Sequence, residues 1–190
     1  MSGLPRDDVV ARGRKAVVRR KRMTDAADEY AWRCDKELAR FDASRPVHVP
    51  FPQYQRNWSF DMRFTDSPGR SFAVEDENGR HIGNIMYYNR DAARREAELG
   101  ISIGLRDWWA QGYGTDAVVT LVAHLFRSTD LQRLYLHTLD WNRRAYRAFQ
   151  KAGFCDCGSA WRDGHTFIVM EVRKEWVATA RTPETLTRTS

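Results

Sequence analysis

Trp108-Trp109-Ala110-Gln111-Gly112-Tyr113-Gly114-Thr115-Asp116-Ala117 is the stretch on which the fold turns. Before it, Glu96 to Gly104 reads as a strand rich in Leu99, Ile101 and Ile103. After it, Gly112 to Phe126 reads as a helix, with Ala117, Leu121 and Leu125 recurring on one side. Glycines at such a junction let backbone N–H groups approach a ligand without Cβ obstruction. The helix N-terminus adds unpaired N–H groups and partial positive charge. Together these make a cradle for a pyrophosphate. The Gly-Lys-Ser/Thr element of a Walker loop is missing, and so is the three-glycine spacing of a dinucleotide fingerprint. Alone, Gly-x-Gly reads equally well as a tight strand-to-helix turn.

Downstream, Arg133 to Thr138 predicts a short strand, and Asn142 to Lys151 a second helix ended by Gly153. Cys155–Trp161 and His165–Val172 pair as a hairpin around Asp163-Gly164. Upstream, Ser71–Glu75 and His81–Asn89 flank Asn78-Gly79, where both turn positions tolerate positive φ. Ala16 to Arg20 predicts a first strand. Thr24 is placed to cap a helix through Trp32, with acids in its first turn, and Asp35 to Phe41 continues the helical pattern. Ser44 to Pro52, with three prolines, predicts a loop, followed by a short helix or turn over 53–62. This order predicts a single α/β (mixed α+β) domain over 14–178, with helices on both faces of a mixed, mostly antiparallel sheet. Residues 1–13 are expected to form a flexible basic arm, and 179–190, polar and threonine-rich, a disordered tail.

The chain has 190 residues, 42% hydrophobic and 12% aromatic, which is enough for a real core. Its net charge of +6 arises at one end. Arg6, Arg12, Arg14, Lys15, Arg19, Arg20, Lys21 and Arg22 face only Asp7 and Asp8 there, and the rest of the chain is neutral. A basic pI made by one segment argues against nucleic acid as a partner. No run is long and apolar enough for a membrane span, and the first residues lack the apolar core of a secretory signal. Three cysteines (Cys34, Cys155 and Cys157) without framework spacing point to a reducing, cytoplasmic setting. Cys155 and Cys157 have no partner pair, so no metal site is expected.

The second segment, Asp140-Trp141-Asn142-Arg143-Arg144-Ala145-Tyr146-Arg147-Ala148-Phe149-Gln150-Lys151-Ala152-Gly153-Phe154, supplies the decision. The two segments together resemble the acyl-CoA-binding motifs of the GNAT N-acetyltransferase superfamily. The first resembles its Gln/Arg-x-x-Gly-x-Gly/Ala loop and the second its Asn-x-x-Ala…Tyr-x-Lys-x-Gly-Phe helix. Glu98 to Gly104 matches the family's central strand. The resemblance covers roughly 16–175, and Val18-Arg19-Arg20 followed by Thr24 to Trp32 is most similar to the ribosomal-protein N-terminal acetyltransferase branch.

The resemblance implies a sheet splayed in the middle to admit a pantetheine arm, with acetyl-CoA as cosubstrate and no metal. It implies direct transfer of the acetyl group, in a ternary complex, to a primary amine, whether a small molecule or a protein N-terminus. It leaves open a longer acyl chain, a CoA-binding regulatory module with weak or lost catalysis, and a homodimer. Gln111, Gly112, Tyr113, Gly114 and Thr115 would cradle the pyrophosphate, and backbone N–H groups near Ile101 and Ile103 would polarise the thioester. Asn142 would hold the pantetheine amide besides capping its helix, and Phe149 would face the cofactor. Glu98 would serve as general base, with Glu96 on the same face of the strand as the weaker candidate.

Two departures stand out. Trp109 occupies a position often Gln or Arg. Phe149 stands where relatives often carry a Tyr general acid, and Phe has no proton to give. Tyr146, a tempting replacement acid, reads better as packing, as does His137, which alternates with Tyr135 on a short strand. Arg147 and Lys151 read as a solvated helix face. On the acceptor side, Trp32, Phe51, Tyr54, Trp58 and Trp161 are aromatic candidates, and Asp28, Glu29 and Asp35 are acidic ones.

Overall fold

The computed structural model describes residues 7–61 and 69–179. Its strands are β1 (Val9–Arg12), β2 (Val17–Arg20), β3 (Arg70–Glu75), β4 (His81–Asp91), β5 (Glu96–Ile103), β6 (Arg133–Leu139), β7 (Cys155–Arg162) and β8 (His165–Arg173). They form one sheet in the order β1-β2-β3-β4-β5-β6-β8-β7. Every pairing is antiparallel except that of β5 with β6. A parallel pair needs a crossover, and the helix α1 (Tyr113–Ser128) provides it. A second helix, α2 (Arg143–Lys151), follows β6. Both hairpin turns form as their sequences predict. Gly79 has φ +81°, while Asp163 and Gly164 have φ +51° and +80°.

The sheet and the crossover helix share the core. Ala117, Val118, Leu121, Val122 and Leu125 bury one side of α1 against Ala97 and Leu99 of β5 and Leu134 and Leu136 of β6. Leu121 is completely buried, so its truncation to alanine should cost about 2–5 kcal/mol. Because side chains alternate along β5, Ala97, Leu99, Ile101 and Ile103 take this face, and Glu96, Glu98, Gly100 and Ser102 take the other.

The chain before β3 departs from the sequence reading in several places. Val9–Arg12, expected within a flexible arm, is a strand that pairs with β2. Arg20 donates its N–H to the Asp8 carbonyl, and the Arg22 guanidinium pairs with the Asp8 carboxylate at 2.5 Å. Residues 1–6 lie outside the described residues. Asp25 to Cys34 and Lys36 to Phe41 are two separate helices. Asp35 divides them, accepting from the N–H groups of Glu37 and Leu38. Thr24 makes no side-chain cap. Asp25, the first helical residue, instead turns its carboxylate back to accept from the Arg22 N–H at 2.6 Å and to pair with the two terminal nitrogens of Arg19 at 2.7 and 2.8 Å.

Arg19 also contacts Glu75, so Arg19, Asp25 and Glu75 make a buried ionic knot. Burial pushes the Asp25 carboxyl up, but the Arg19 fork and the Arg22 N–H outweigh it and hold the group below its ordinary range. A further helix spans Phe51–Asp61, starting inside the expected loop because Pro52 is tolerated in a first turn. A last helix, Lys174–Thr179, closes the described residues. Residues 180–190, most of the expected tail, lie outside them, as do 62–68.

Candidate active site

β5 and β6 pair only from Glu96–Glu98 to Arg133–Tyr135, and beyond that the strands part. Arg95 points its carbonyl at β6, accepting from the Gln132 N–H at 2.7 Å. Counting by twos, the backbone groups of Ala97, Leu99, Ile101 and Ile103 face the same way. The Ile103 carbonyl accepts from the Trp109 indole N–H at 2.7 Å, consistent with that count. Past Glu98 these groups line an open split, which widens into a cleft of about 1220 Å³.

One wall of the cleft is the start of α1. Gly112 has φ +91°, a left-handed conformation that glycine adopts without strain, and a Cβ there would meet nothing within 4 Å. The first-turn N–H groups of Tyr113, Gly114 and Thr115 precede any intrahelical acceptor and end beside this open space. The other wall is the start of α2, capped by Asn142, whose side-chain oxygen accepts from the Ala145 N–H at 3.2 Å. Thr115 ties the walls together by donating to the Ala148 carbonyl at 3.4 Å. Arg144 lies 3.6 Å from the Trp109 ring centroid and so also reaches across.

The β1–β2 turn is a part of this site that sequence reading missed. Asp116, in the first turn of α1, accepts from the backbone N–H groups of Arg14, Lys15 and Ala16 at 3.1, 2.9 and 2.9 Å. Lys15 donates to the Gln111 carbonyl at 2.9 Å. Gly13 permits this seat, since a Cβ there would come within 2.1 Å of the Asp116 carboxylate. Arg14 and Lys15 thereby reach the lip of the cleft, together with Arg147 and Lys151 of α2. The only local signal was an acid in a helix's first turn. Its partners lie about a hundred residues away.

Of the residues singled out from sequence, Glu98, Ile101, Ile103, Gln111, Gly112, Gly114, Thr115, Asn142 and Phe149 all line the cleft. The Tyr113 side chain does not. It is buried beside Lys15, and its hydroxyl donates to Glu77 at 2.6 Å, a bond that pushes its pKa up to about 12. Glu98 is buried and takes three partners: the Tyr88 hydroxyl at 3.1 Å, the Asn89 amide at 2.9 Å and His137 Nδ1 at 2.8 Å. Burial first, and then Glu98, push the Tyr88 phenol well above its usual range. Glu96, the alternative, pairs with Arg133 at 2.7 Å.

The predicted acceptor aromatics and acids go elsewhere. Trp32 covers Gly104 and His81, Trp58 donates to Glu29 at 3.0 Å, Asp28 pairs with His81, and Asp35 pairs with Arg106. Phe51 and Tyr54 pack on Tyr30, and Trp161 is exposed. The cleft instead draws Phe41, Asp42, Arg162 and Phe167. No cluster of His, Cys, Asp and Glu able to hold a metal occurs among the described residues, and no described helix is long and apolar enough to cross a membrane.

Residues 16–155 match the acetyltransferase (GNAT) domain family. The chain belongs to the GNAT family. That match takes in the parted strands and both cleft walls, so the GNAT fold accounts for the split that the register shows. Solved structures share this GNAT fold. The aminoglycoside acetyltransferase AAC(6')-Ib in complex with coenzyme A aligns with TM-score 0.74 at 18% identity, over 88% of this chain and 99% of its own. Spermidine N-acetyltransferase from Vibrio cholerae, in complex with CoA and spermine, aligns with TM-score 0.73 at 18% identity, over 84% and 96%. A GNAT-family acetyltransferase from Bacillus anthracis aligns with TM-score 0.72 at 13% identity, over 87% and 98%.

Proposed function

We propose that this GNAT domain transfers an acetyl group from acetyl-CoA to a primary amine by direct attack in a ternary complex. The observation that carries the reading is the split. It places backbone groups of β5 that do not pair with β6 between a helix N-terminus and the Asn142 cap, within a single cleft. The N–H groups of Tyr113, Gly114 and Thr115, with Gln111 and Gly112 before them, hold the diphosphate. The two cleft walls and Asn142 hold the pantetheine arm, and Phe149 packs beside it. The thioester carbonyl then lies at the narrow end, where a β5 N–H near Ile101 or Ile103 polarises it and stabilises the oxyanion. An alkyl amine is mostly protonated at neutral pH, so the reaction needs a proton acceptor there. Glu98 belongs to that centre.

The acceptor is a small amine or a peptide N-terminus. The likeness of Val18-Arg19-Arg20 and the following helix to ribosomal-protein N-terminal acetyltransferases supports a peptide. The neighbours named for aminoglycosides and spermidine support a polyamine or amino sugar. Phe149, which lacks a proton to donate, keeps a CoA-binding module without turnover as the second reading. A thiol-release assay with acetyl-CoA against polyamines, amino sugars and free-N-terminus peptides tests both. Release that depends on an amine supports the transferase. Binding of CoA with no release from any amine supports the module.

A further inference from the structure

The cleft places a histidine in front of the carboxylate that sequence reading named as base. Tyr135 of β6 is in register with Glu98 of β5, and there the pairing of the two strands ends. His137, two residues on, returns to the same face by strand alternation. Its Nδ1 therefore meets Glu98 Oε1 at 2.8 Å across the apex of the split.

The two groups differ in access. Glu98 has a side chain only 4% exposed, and its oxygens accept from Tyr88, Asn89 and His137. Three partners and burial leave Glu98 little free surface towards an incoming amine. His137 is more open, with a side chain 18% exposed and bordering the cleft. Its ring is set edge-on to Tyr135 and Phe167, with centroids 5.9 and 6.2 Å away. Nε2 makes no hydrogen bond among the described residues. An ionised carboxylate facing Nδ1 can only accept, so Nδ1 carries the hydrogen and Nε2 keeps its lone pair. The other charges nearby are Arg133, which pairs with both Glu96 and Glu171, and Arg162, which lies 5.2 Å from the Phe167 ring centroid on the cleft wall.

We propose that His137 is the catalytic proton acceptor, and that Glu98 is a positioning residue which fixes its tautomer and stabilises the imidazolium. The assignment rests on the acetyltransferase reading above. The amine first gives its ammonium proton to solvent and, as free base, attacks the thioester carbonyl carbon, forming the C–N bond and an oxyanion. His137 Nε2 then takes a proton from the positively charged nitrogen. Collapse of the oxyanion breaks the C–S bond, and the electron pair leaves on sulfur. The imidazolium proton passes to the thiolate, directly or through water. The histidine is thus regenerated, and a donor is supplied where Phe149 has none.

The test joins kinetics with a spectroscopic readout that needs no turnover. His137→Ala should keep its thermal stabilisation by CoA, which shows that the fold and the cleft are intact. Its kcat should fall by about 10²-fold or more, with the KM for acetyl-CoA unchanged, and added imidazole should restore part of the rate. Nitrogen NMR of the wild type should show His137 protonated at Nδ1 and bare at Nε2, and Glu98→Ala, which removes the acceptor from Nδ1, should abolish that preference. Full kcat in His137→Ala, or a loss that imidazole leaves untouched, overturns the proposal. So does a His137 protonated at Nε2. A wild type inactive towards every amine would instead refute the acetyltransferase reading, and the tautomer measurement would still decide the pair.

Discussion

Replacing Asp116 by alanine should cost about 2–5 kcal/mol of stability and loosen the lip of the cleft. One side chain links the first turn of α1 to three consecutive N–H groups of the β1–β2 turn. Those of Arg14 and Lys15 are exposed, so water replaces the carboxylate and each is worth about 0.5–1 kcal/mol. That of Ala16 is half-buried and belongs to a residue with no exposed surface, so leaving it unpaired costs about 1–3 kcal/mol. An acid also suits a helix N-terminus by about 0.3–1 kcal/mol, but alanine recovers about 0.5 kcal/mol in helix propensity. For a domain of this size each kcal/mol lowers Tm by roughly 2–4 °C, so thermal unfolding should shift down by about 4–20 °C. Val9–Arg12 should lose protection in hydrogen exchange before the central strands do. A Tm within a degree of wild type, with that segment still protected, would refute the claim that Asp116 seats the turn.

Gly112→Val should leave a folded protein, destabilised by about 1–3 kcal/mol because a β-branched residue is strained at φ +91°, and it should lose the rise in Tm that acetyl-CoA gives the wild type. A full ligand shift in the variant would move the phosphate cradle elsewhere. Phe149→Tyr adds an oxygen to a side chain that is 8% exposed and packed on Phe154 at 6.1 Å. The rate should change little, while a buried hydroxyl without a partner would weaken acetyl-CoA binding by about 1–3 kcal/mol; a hundredfold gain in turnover would show an impaired enzyme and favour the regulatory module. Since Asp25 titrates lower in the fold than in the unfolded chain, its contribution is complete above the unfolded value of about 3.9 and is lost as pH falls below it. Asp25→Asn should therefore lower Tm near neutral pH and show a smaller further loss on acidification than wild type; parallel Tm-versus-pH curves would contradict the buried knot.

The readable parts of this chain were those coded over short distances. Asp163-Gly164 specifies its turn by backbone preference, Gly79 does so with the nearby Asp76 side chain accepting from Asn78 and Arg80, and the apolar spacing of Ala117, Leu121 and Leu125 specifies a helix before any partner is known. The cleft-lining residues were recovered because the glycine loop and the Asn142 helix each carry a local pattern. What escaped depends on register and long-range contact. His137 reads as packing until β5 and β6 are aligned, because only the pairing of Glu98 with Tyr135 brings the imidazole to the carboxylate. Val9–Arg12 is only four residues long, too short to stand as a strand alone, and is held by its pairing with β2 and by the turn that Asp116 anchors. Thr24 looked like a cap from its neighbours, but the buried Arg19 recruits Asp25 and turns the start of the helix around that ion pair.

In the proposed reaction the acetyl group passes directly to an amine within the cleft. The most direct measurement uses acetyl-CoA labelled in the acetyl group, with an amine identified by thiol release, and follows the label by mass spectrometry of the quenched mixture. The account predicts label on the amine nitrogen, one acetyl for each thiol released, and none on the protein at any time point. Label held on the protein, at the exposed Cys155 or Cys157 for instance, or thiol released with the label appearing as free acetate, would contradict it.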